Sequence, residues 1–128
     1  MKREFVVALR NDRGQLLVLE TQARVPVFPG GPITDAEPIK KIAAQVRAET
    51  GLVIEGLHLT SVGKDRPGVE VHRFTAHVAS GALLPFPTAG FLSASWLAPS
   101  LVPNLKGAST DMLQLVADLA RTYARPSR

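Results

Sequence analysis

The residues that could do chemistry lie close together in the segment 29–52. Gln45, Ala48 and Glu49 are three and four residues apart, so a helix would place them on one face. Lys41 would lie on the turn before Gln45. A hard cation such as Mg²⁺ needs several converging oxygen ligands. Here Glu49 is the one carboxylate, Gln45 offers a weak carbonyl ligand, and Lys41 adds a positive charge that opposes a cation.

A helix over residues 38–50 is the element that would position these side chains. Pro38 suits the first helical position, where its missing N–H costs nothing. Gly51 is typical of the left-handed cap that ends a helix. A Pro29-Gly30-Gly31 turn comes before the helix, and an extended apolar run begins at Leu52. Apolar residues at helical spacing predict the buried face of this helix: Ile39, Ile42, Ala43 and Val46.

The segment 29–52 resembles the Nudix box, the signature of the Nudix hydrolase superfamily. The family pattern is Gly, five residues, Glu, seven residues, and then Arg-Glu-apolar-x-Glu-Glu-x-Gly-apolar. Gly30 and Gly51 match its first and last glycines without a gap, and Val46 and Leu52 match its apolar positions. Four polar positions depart from the pattern, where the family's Glu, Arg, Glu and Glu are here Ala36, Ala44, Gln45 and Ala48. Of the family's carboxylates in this box, Glu49 remains.

The resemblance implies an α/β/α sandwich, with a mixed sheet between the box helix and a C-terminal helix. It also implies cleavage of a diphosphate linked to another group, usually in a nucleotide, with Mg²⁺ or Mn²⁺ as cofactor. In that scheme Glu49 is the catalytic and metal-binding residue. The residues expected to contact the ligand are Gly30, Gly31, Lys41 and Gln45. Because most of the carboxylates are replaced, we expect hydrolysis to be weak or absent, and an inactive domain would need no cofactor.

Acids outside the box could take over the missing roles. Asp35, Glu37, Glu70 and Asp65 are the candidates, although Asp35 and Glu37 fit caps of the box helix better. The segment 71–110 contains no Asp or Glu. It includes the loop before Trp96, where many members of the family carry a further acid.

The rest of the chain predicts strands around the box helix, with a second helix at the end. The predicted strands are Glu4–Leu9, Gln15–Glu20, Val53–Val62, Val69–Val78 and Phe91–Leu97. Connections without regular structure are expected over 21–28, 80–90 and 99–107. Ser109 or Thr110 would cap the final helix. Its predicted buried stripe consists of Met112, Leu113, Val116, Leu119, Ala120 and Tyr123. These elements predict an α/β sandwich that forms a single domain over residues 1–128.

Composition limits the function classes further. The chain has 128 residues, 45% of them hydrophobic and 20% charged, and no Cys, which excludes disulfides and thiol catalysis. Neither a signal peptide nor a membrane-spanning run is apparent, so we expect a cytoplasmic protein without a membrane partner. The net charge of +4 favours anionic ligands. Part of this charge is a basic tail, Arg121, Arg125 and Arg128, and nucleic acid is the less favoured partner. His58, His72 and His77 lack metal-site spacing and are expected on strands, facing solvent or a cleft.

Three hypotheses follow for the function. The first is a Nudix-like domain that binds a nucleotide-like phosphorylated molecule and hydrolyses it weakly or not at all. The second is an active hydrolase that uses acids such as Asp35, Glu37 or Glu70. The third is an interaction module that binds protein or nucleic acid. No feature of the sequence specifies an oligomeric state.

Overall fold

The structure is a computed structural model that describes residues 1–34 and 36–124. Its first two strands, β1 (Lys2–Arg10) and β2 (Leu16–Thr21), form the predicted hairpin. Asn11 begins the turn, and its side-chain oxygen accepts hydrogen bonds from the backbone N–H groups of Arg13 and Gln15, both at 3.0 Å. Such side-chain bonds explain why Asn is common at turns.

The described residues form one seven-stranded mixed sheet. The remaining strands are β3 (Pro26–Val27), β4 (Gly30–Pro32), β5 (Leu52–Gly63), β6 (Val69–Gly81) and β7 (Phe91–Leu97). The order is β3-β2-β1-β6-β5, with β4 paired to β1 and β7 paired to β2. β1 is central and runs parallel to β6 and antiparallel to β2 and β4. The predicted mixed sheet is confirmed.

The box helix, α1 (Pro38–Thr50), has the predicted bounds. Gly51 ends it with φ 84°, and its N–H donates to the carbonyl of Arg47 at 2.8 Å. Ile42, Val46 and Thr50 are the buried residues of α1. The prediction for Ile39 is wrong: it lies in the first turn and remains 50% exposed, so contact with the sheet begins at Ile42.

The predicted caps at the start of α1 have different outcomes. Glu37 occupies the N-cap position but its side chain makes no capping hydrogen bond, so its predicted capping role is wrong. Its backbone, at φ −113° and ψ 77°, is not helical there. Asp35 lies outside the described residues.

The C-terminal helix, α2 (Thr110–Ala124), follows a 3₁₀ helix at Pro99–Asn104, where we predicted an irregular loop. Ser109 is its cap, because its hydroxyl accepts the N–H of Met112 at 3.2 Å. The predicted stripe is partly wrong. Leu115 is buried, whereas Leu113 is 41% exposed and Ala120 is also exposed. Successive helical residues point about 100° apart, so Met112 and Leu113 cannot share one narrow face. The side chain of Tyr123 and the tail residues Arg125 and Arg128 lie outside the description.

Two hydrophobic cores lie on opposite faces of the sheet. Alternation along β1 sends Phe5, Val7 and Leu9 toward α1 and Ala8 toward α2. The run in β2 is buried on both faces, as predicted, with Leu17 on the α1 side and Leu16 on the α2 side. The α/β/α sandwich is therefore confirmed. Over the described part of the chain, neither helix is long and apolar enough to cross a bilayer.

Candidate functional site

The predicted site residues meet where α1 passes over β4. The side-chain amide nitrogen of Gln45 donates to the backbone carbonyl of Gly30 at 3.2 Å. The same nitrogen donates to a carboxylate oxygen of Glu49 at 3.4 Å. Gln45 therefore links the glycine turn to the one carboxylate of the box face. Ala48, next to Glu49, is exposed and offers no polar atom.

The two glycines allow β4 to lie this close to its neighbours. A Cβ atom at Gly31 would lie 2.1 Å from the amide nitrogen of Gln45, and one at Gly30 would lie 2.6 Å from the carbonyl oxygen of Phe5. Both distances are far below van der Waals contact. Gly30 pairs with Val6 in β1, so a side chain at Gly30 would meet the β1 backbone, whereas one at Gly31 would have to displace the end of the Gln45 side chain.

Glu49 is half-buried, and this burial raises the pKa of its carboxyl group. Burial disfavours the charged form because the surrounding protein solvates it less well than water does. The hydrogen bond from Gln45 lowers the pKa and offsets part of that effect. The surroundings of Glu49 thus disfavour its negative charge. Its carboxylate accepts one hydrogen bond, from the neutral amide of Gln45.

The opening beside this site is small. Pro38, Lys41 and Gln45 help to line a crevice of about 10 Å³. That volume is roughly what one water molecule requires. Lys41 is exposed at its rim. The crevice brings two of the predicted ligand-binding residues together, but a phosphorylated ligand would have to lie on the open surface or displace Gln45.

These residues do not fit Mg²⁺ or Mn²⁺ as they are arranged. Across residues 1–34 and 36–124, no three His, Asp or Glu side chains are grouped closely enough to hold a metal ion. Besides the weak carbonyl ligand of Gln45 itself, the oxygens at this face of α1 are the Glu49 carboxylate and the Gly30 carbonyl, and the amide nitrogen of Gln45 already bonds to both. Mg²⁺ requires about six oxygen ligands, several of them anionic in sites of this kind.

Glu70, one of the substitute acids, has partners of its own. It bonds to His72 at 2.8 Å and lies 3.8 Å from the ammonium group of Lys64. The hydrogen bond from His72 lowers the pKa of Glu70, and the charges of His72, Lys64 and Arg3 act in the same direction. Asp65, another candidate acid, lies in the loop between β5 and β6, 3.4 Å from the guanidinium of Arg73. Both acids therefore pair with cationic or imidazole groups.

The sequence reading missed a second cluster, on the α2 face of the sheet. Arg10 donates a hydrogen bond to Nε2 of His77, and both line a cavity of about 560 Å³. Alternation along β6 already placed His77 on the same face as Thr75 and Arg73. No pattern in the sequence indicated that the end of β1 would bring Arg10 to it, because the parallel pairing of β1 and β6 joins distant segments.

Comparisons with known proteins identify the fold. No protein-family model and no curated protein matches the chain. Solved structures do match it over most of its length. An ADP-ribose pyrophosphatase from Streptococcus suis 89-1591 superimposes with a TM-score of 0.75 at 18% identity, covering 99% of this chain and 94% of that one. A Nudix hydrolase from Nitrosomonas europaea gives 0.76 at 17% identity, with 94% and 89% covered. A MutT Nudix hydrolase from Burkholderia pseudomallei gives 0.75 at 17% identity, with 92% and 97% covered. The chain has the Nudix hydrolase fold.

Proposed function

We propose that this chain is a Nudix-fold domain that binds a nucleotide-like phosphorylated small molecule and hydrolyses it weakly or not at all. The observation that carries the proposal is the position of the Gln45 amide. It bonds to the Gly30 carbonyl at 3.2 Å and to the Glu49 carboxylate at 3.4 Å. A cation at this place would need the same two oxygens.

The amide group of Gln45 satisfies the two oxygens that a cation would bind, but it cannot activate water or a diphosphate as a metal ion does. A primary amide has two N–H donors, which satisfy one carbonyl and one carboxylate oxygen. It has no open coordination position for a diphosphate oxygen or an attacking water, which is what a catalytic metal supplies. The raised pKa of Glu49 also weakens this group as a ligand, because metal binding requires the deprotonated form.

Retained ligand binding is supported by the surroundings of the site. Lys41 lies at the crevice, and its ammonium group can attract phosphate as a point charge. The net charge of +4 favours anionic ligands in general. The similar structures include one named as an ADP-ribose pyrophosphatase, which makes nucleoside diphosphate derivatives the first ligands to examine.

Restoring the carboxylates tests the proposal. We expect wild-type protein to show no tight Mg²⁺ binding by calorimetry and little turnover of a panel of nucleoside diphosphate derivatives. The double variant Gln45→Glu/Ala48→Glu places three carboxylates on one face of α1 and should gain Mg²⁺-dependent thermal stability. Gln45→Ala is the matched control, because it removes the amide without adding a ligand. Tight Mg²⁺ binding by wild type that is lost in Glu49→Gln would refute the proposal.

An active hydrolase is the second candidate, and the raised pKa of Glu49 favours it. A half-buried carboxyl whose pKa is raised is a stronger general base than an exposed one. In that case wild type turns over a panel member and Glu49→Gln abolishes turnover. If turnover survives Glu49→Gln, the acids to replace next are Asp35, Glu37 and Glu70.

A further inference from the structure

A stripe of apolar side chains lies on the solvent side of α2. Its members are three, four and seven residues apart, so they share one face of the helix: Leu113, Val116, Ala117 and Ala120. Leu113 is 41% exposed, Ala117 and Ala120 are exposed, and Val116 is half-buried. The stripe is distinct from the buried face of α2, which belongs to the core on this side of the sheet.

The 3₁₀ helix that precedes α2 widens this apolar surface. Pro99 and Ser100 line an open cavity of about 570 Å³ together with Val116 and Ala120, so the 3₁₀ helix lies directly beside the stripe. Leu101, the next residue, is 50% exposed. Single exposed apolar residues are ordinary, but a contiguous apolar surface commonly marks an interaction site.

The stripe and the 3₁₀ helix carry no charged side chain. The sequence has no Lys, Arg, Asp or Glu over residues 74–105, which include the whole 3₁₀ helix. The charged residues of α2 are Asp111, Asp118 and Arg121. Asp118 bonds to β5 and Asp111 to β6, and Arg121 pairs with Asp118, so these charges gather on the side of α2 that faces those strands. Arg10 also lines the cavity, but it belongs to β1 of the sheet beneath α2.

The order of large and small residues along the stripe is self-complementary. Two copies of α2 can pack antiparallel across a two-fold axis that passes midway between Val116 and Ala117. Leu113 of each copy then lies opposite Ala120 of the other, and Val116 lies opposite Ala117. Each larger side chain thus meets an alanine, which is the fit of ridges and grooves that helix packing favours. A two-fold contact requires a patch that is complementary to itself in this way.

We propose that this face binds a second copy of the chain and forms a two-fold symmetric dimer through α2 and the 3₁₀ helix. A second copy suits the charge of this face as well as its shape. The molecule carries a net charge of +4, so two copies repel each other where their basic residues meet, and an uncharged face avoids that repulsion.

The size of the contact predicts a weak dimer. The 15 residues of α2 make a face about 22 Å long and about 10 Å wide, which is roughly 200 Å². Even with the 3₁₀ helix added, this lies below the roughly 800 Å² per partner of a standard interface. We therefore expect reversible association. The face lies across the sheet from the Gln45 site, so the dimer does not depend on the function proposed above.

Sedimentation velocity from about 10 to about 500 µM tests for a weak dimer. We expect the weight-average sedimentation coefficient of wild type to rise with concentration from that of one chain toward that of two. Leu113→Glu buries a charge in the contact and should weaken association by about tenfold or more. Leu59→Glu is the matched control, because Leu59 is 44% exposed on β5 and the variant has the same net charge. It should associate as wild type does, and circular dichroism checks that both variants fold.

Opposite charges near the two-fold axis identify the partner as the same face of a second copy. Ala117→Glu and Ala117→Lys should each remain monomeric, because like charges would meet across the axis. An equimolar mixture of the two variants should associate, because Glu of one copy then faces Lys of the other. Ala117 is exposed and both new residues are good helix formers, so these variants also serve if Leu113→Glu fails to fold.

The proposal is wrong if wild type stays monomeric at every concentration, and a different partner would then cover this face. Equal weakening by Leu113→Glu and Leu59→Glu would also overturn it, since association would then follow net charge alone. A mixture of the two Ala117 variants that stays monomeric would show that the copies meet at another surface.

Discussion

Asp118 provides the sharpest test of how α2 is held on the sheet. Its buried carboxylate gathers donors from two elements: Thr60 and Ser61 of β5, and Gln114 and Arg121 of α2 itself. We expect Asp118→Ala to destabilise the protein strongly and Asp118→Asn to destabilise it much less. The contrast arises because Ala removes every acceptor, whereas Asn keeps the shape and one acceptor oxygen.

The magnitudes follow from what each donor does afterwards. Arg121 is largely exposed and regains water. The hydroxyl of Thr60 can donate instead to the carbonyl of Arg73, which lies at 3.1 Å. Gln114 and Ser61 lose a partner, and because both are only partly buried the cost of each lies near the lower end of the roughly 1–3 kcal/mol for an unsatisfied buried donor. Asp118→Ala should therefore cost about 2–3 kcal/mol, and Asp118→Asn about 1 kcal/mol.

The pH dependence of stability supplies a second signature. Burial raises the pKa of Asp118, but bonds from Gln114, Thr60 and Ser61 and the charge of Arg121 outweigh it, so the pKa is lowered overall. A lowered folded-state pKa contributes stability above the unfolded-state value, near 3.8, and this contribution is lost as the pH falls through the folded-state value. The stability gap between wild type and Asp118→Asn should therefore narrow on acidification.

Urea unfolding at about pH 7 and about pH 3 measures both effects. A loss below about 1 kcal/mol in Asp118→Ala at pH 7 would refute the reasoning. So would equal losses in the Asn and Ala variants. The first result would mean that the apolar residues Met112, Leu115 and Leu119 hold α2 in place without Asp118, and the second that the remaining acceptor oxygen of Asn does not matter.

Three further predictions concern α1. Ile42→Ala should cost about 2–5 kcal/mol in denaturant unfolding, because Ile42 is 1% exposed, whereas Ile39→Ala, at 50% exposed, should cost under about 1 kcal/mol; similar costs would contradict the assigned core. Glu49 has a raised folded-state pKa, so its contribution to stability is present below the unfolded-state value near 4.5 and is lost as the pH rises through the folded-state value. Glu49→Gln should remove this part of the pH dependence of the melting temperature. An unchanged profile would show that the titration of Glu49 does not cause it. Gly31→Ala should displace the Gln45 amide, so its cost should be smaller in a Gln45→Ala background; additive costs in this double-mutant cycle would exclude the contact.

The sequence predicted the regular elements best where local signals and tertiary packing agree. Pro38 and Gly51 mark the ends of α1, and the structure places them there. Short strands such as β3 and β4 carry no such signal, because Gly30 and Gly31 are poor strand formers. β4 exists because β1 offers an unpaired edge at Val6, which is a property of the fold and not of the segment.

The sequence indicated which residues lie near one another at the candidate site, but it did not indicate the hydrogen bonds between them. The spacing of Gly30, Gln45 and Glu49 placed them near one another, and the structure brings them together. The bond from the Gln45 amide to a backbone carbonyl depends on the side-chain rotamer and on the path of β4. Arg10 and His77 lay beyond prediction for a similar reason, since their contact depends on which strand lies next to β1.

The parallel pairing of β1 with β6 also sets a condition on how the chain folds. Arg10 and His77 meet across a sequence separation of 67 residues, so the centre of the sheet cannot close until β6 is available. At a synthesis rate of about 5–20 residues per second, the ribosome completes β6 roughly 3–13 s after β1. During this interval the apolar hairpin of β1 and β2 presents an open strand edge, which is the kind of surface that chaperones protect and that aggregation exploits.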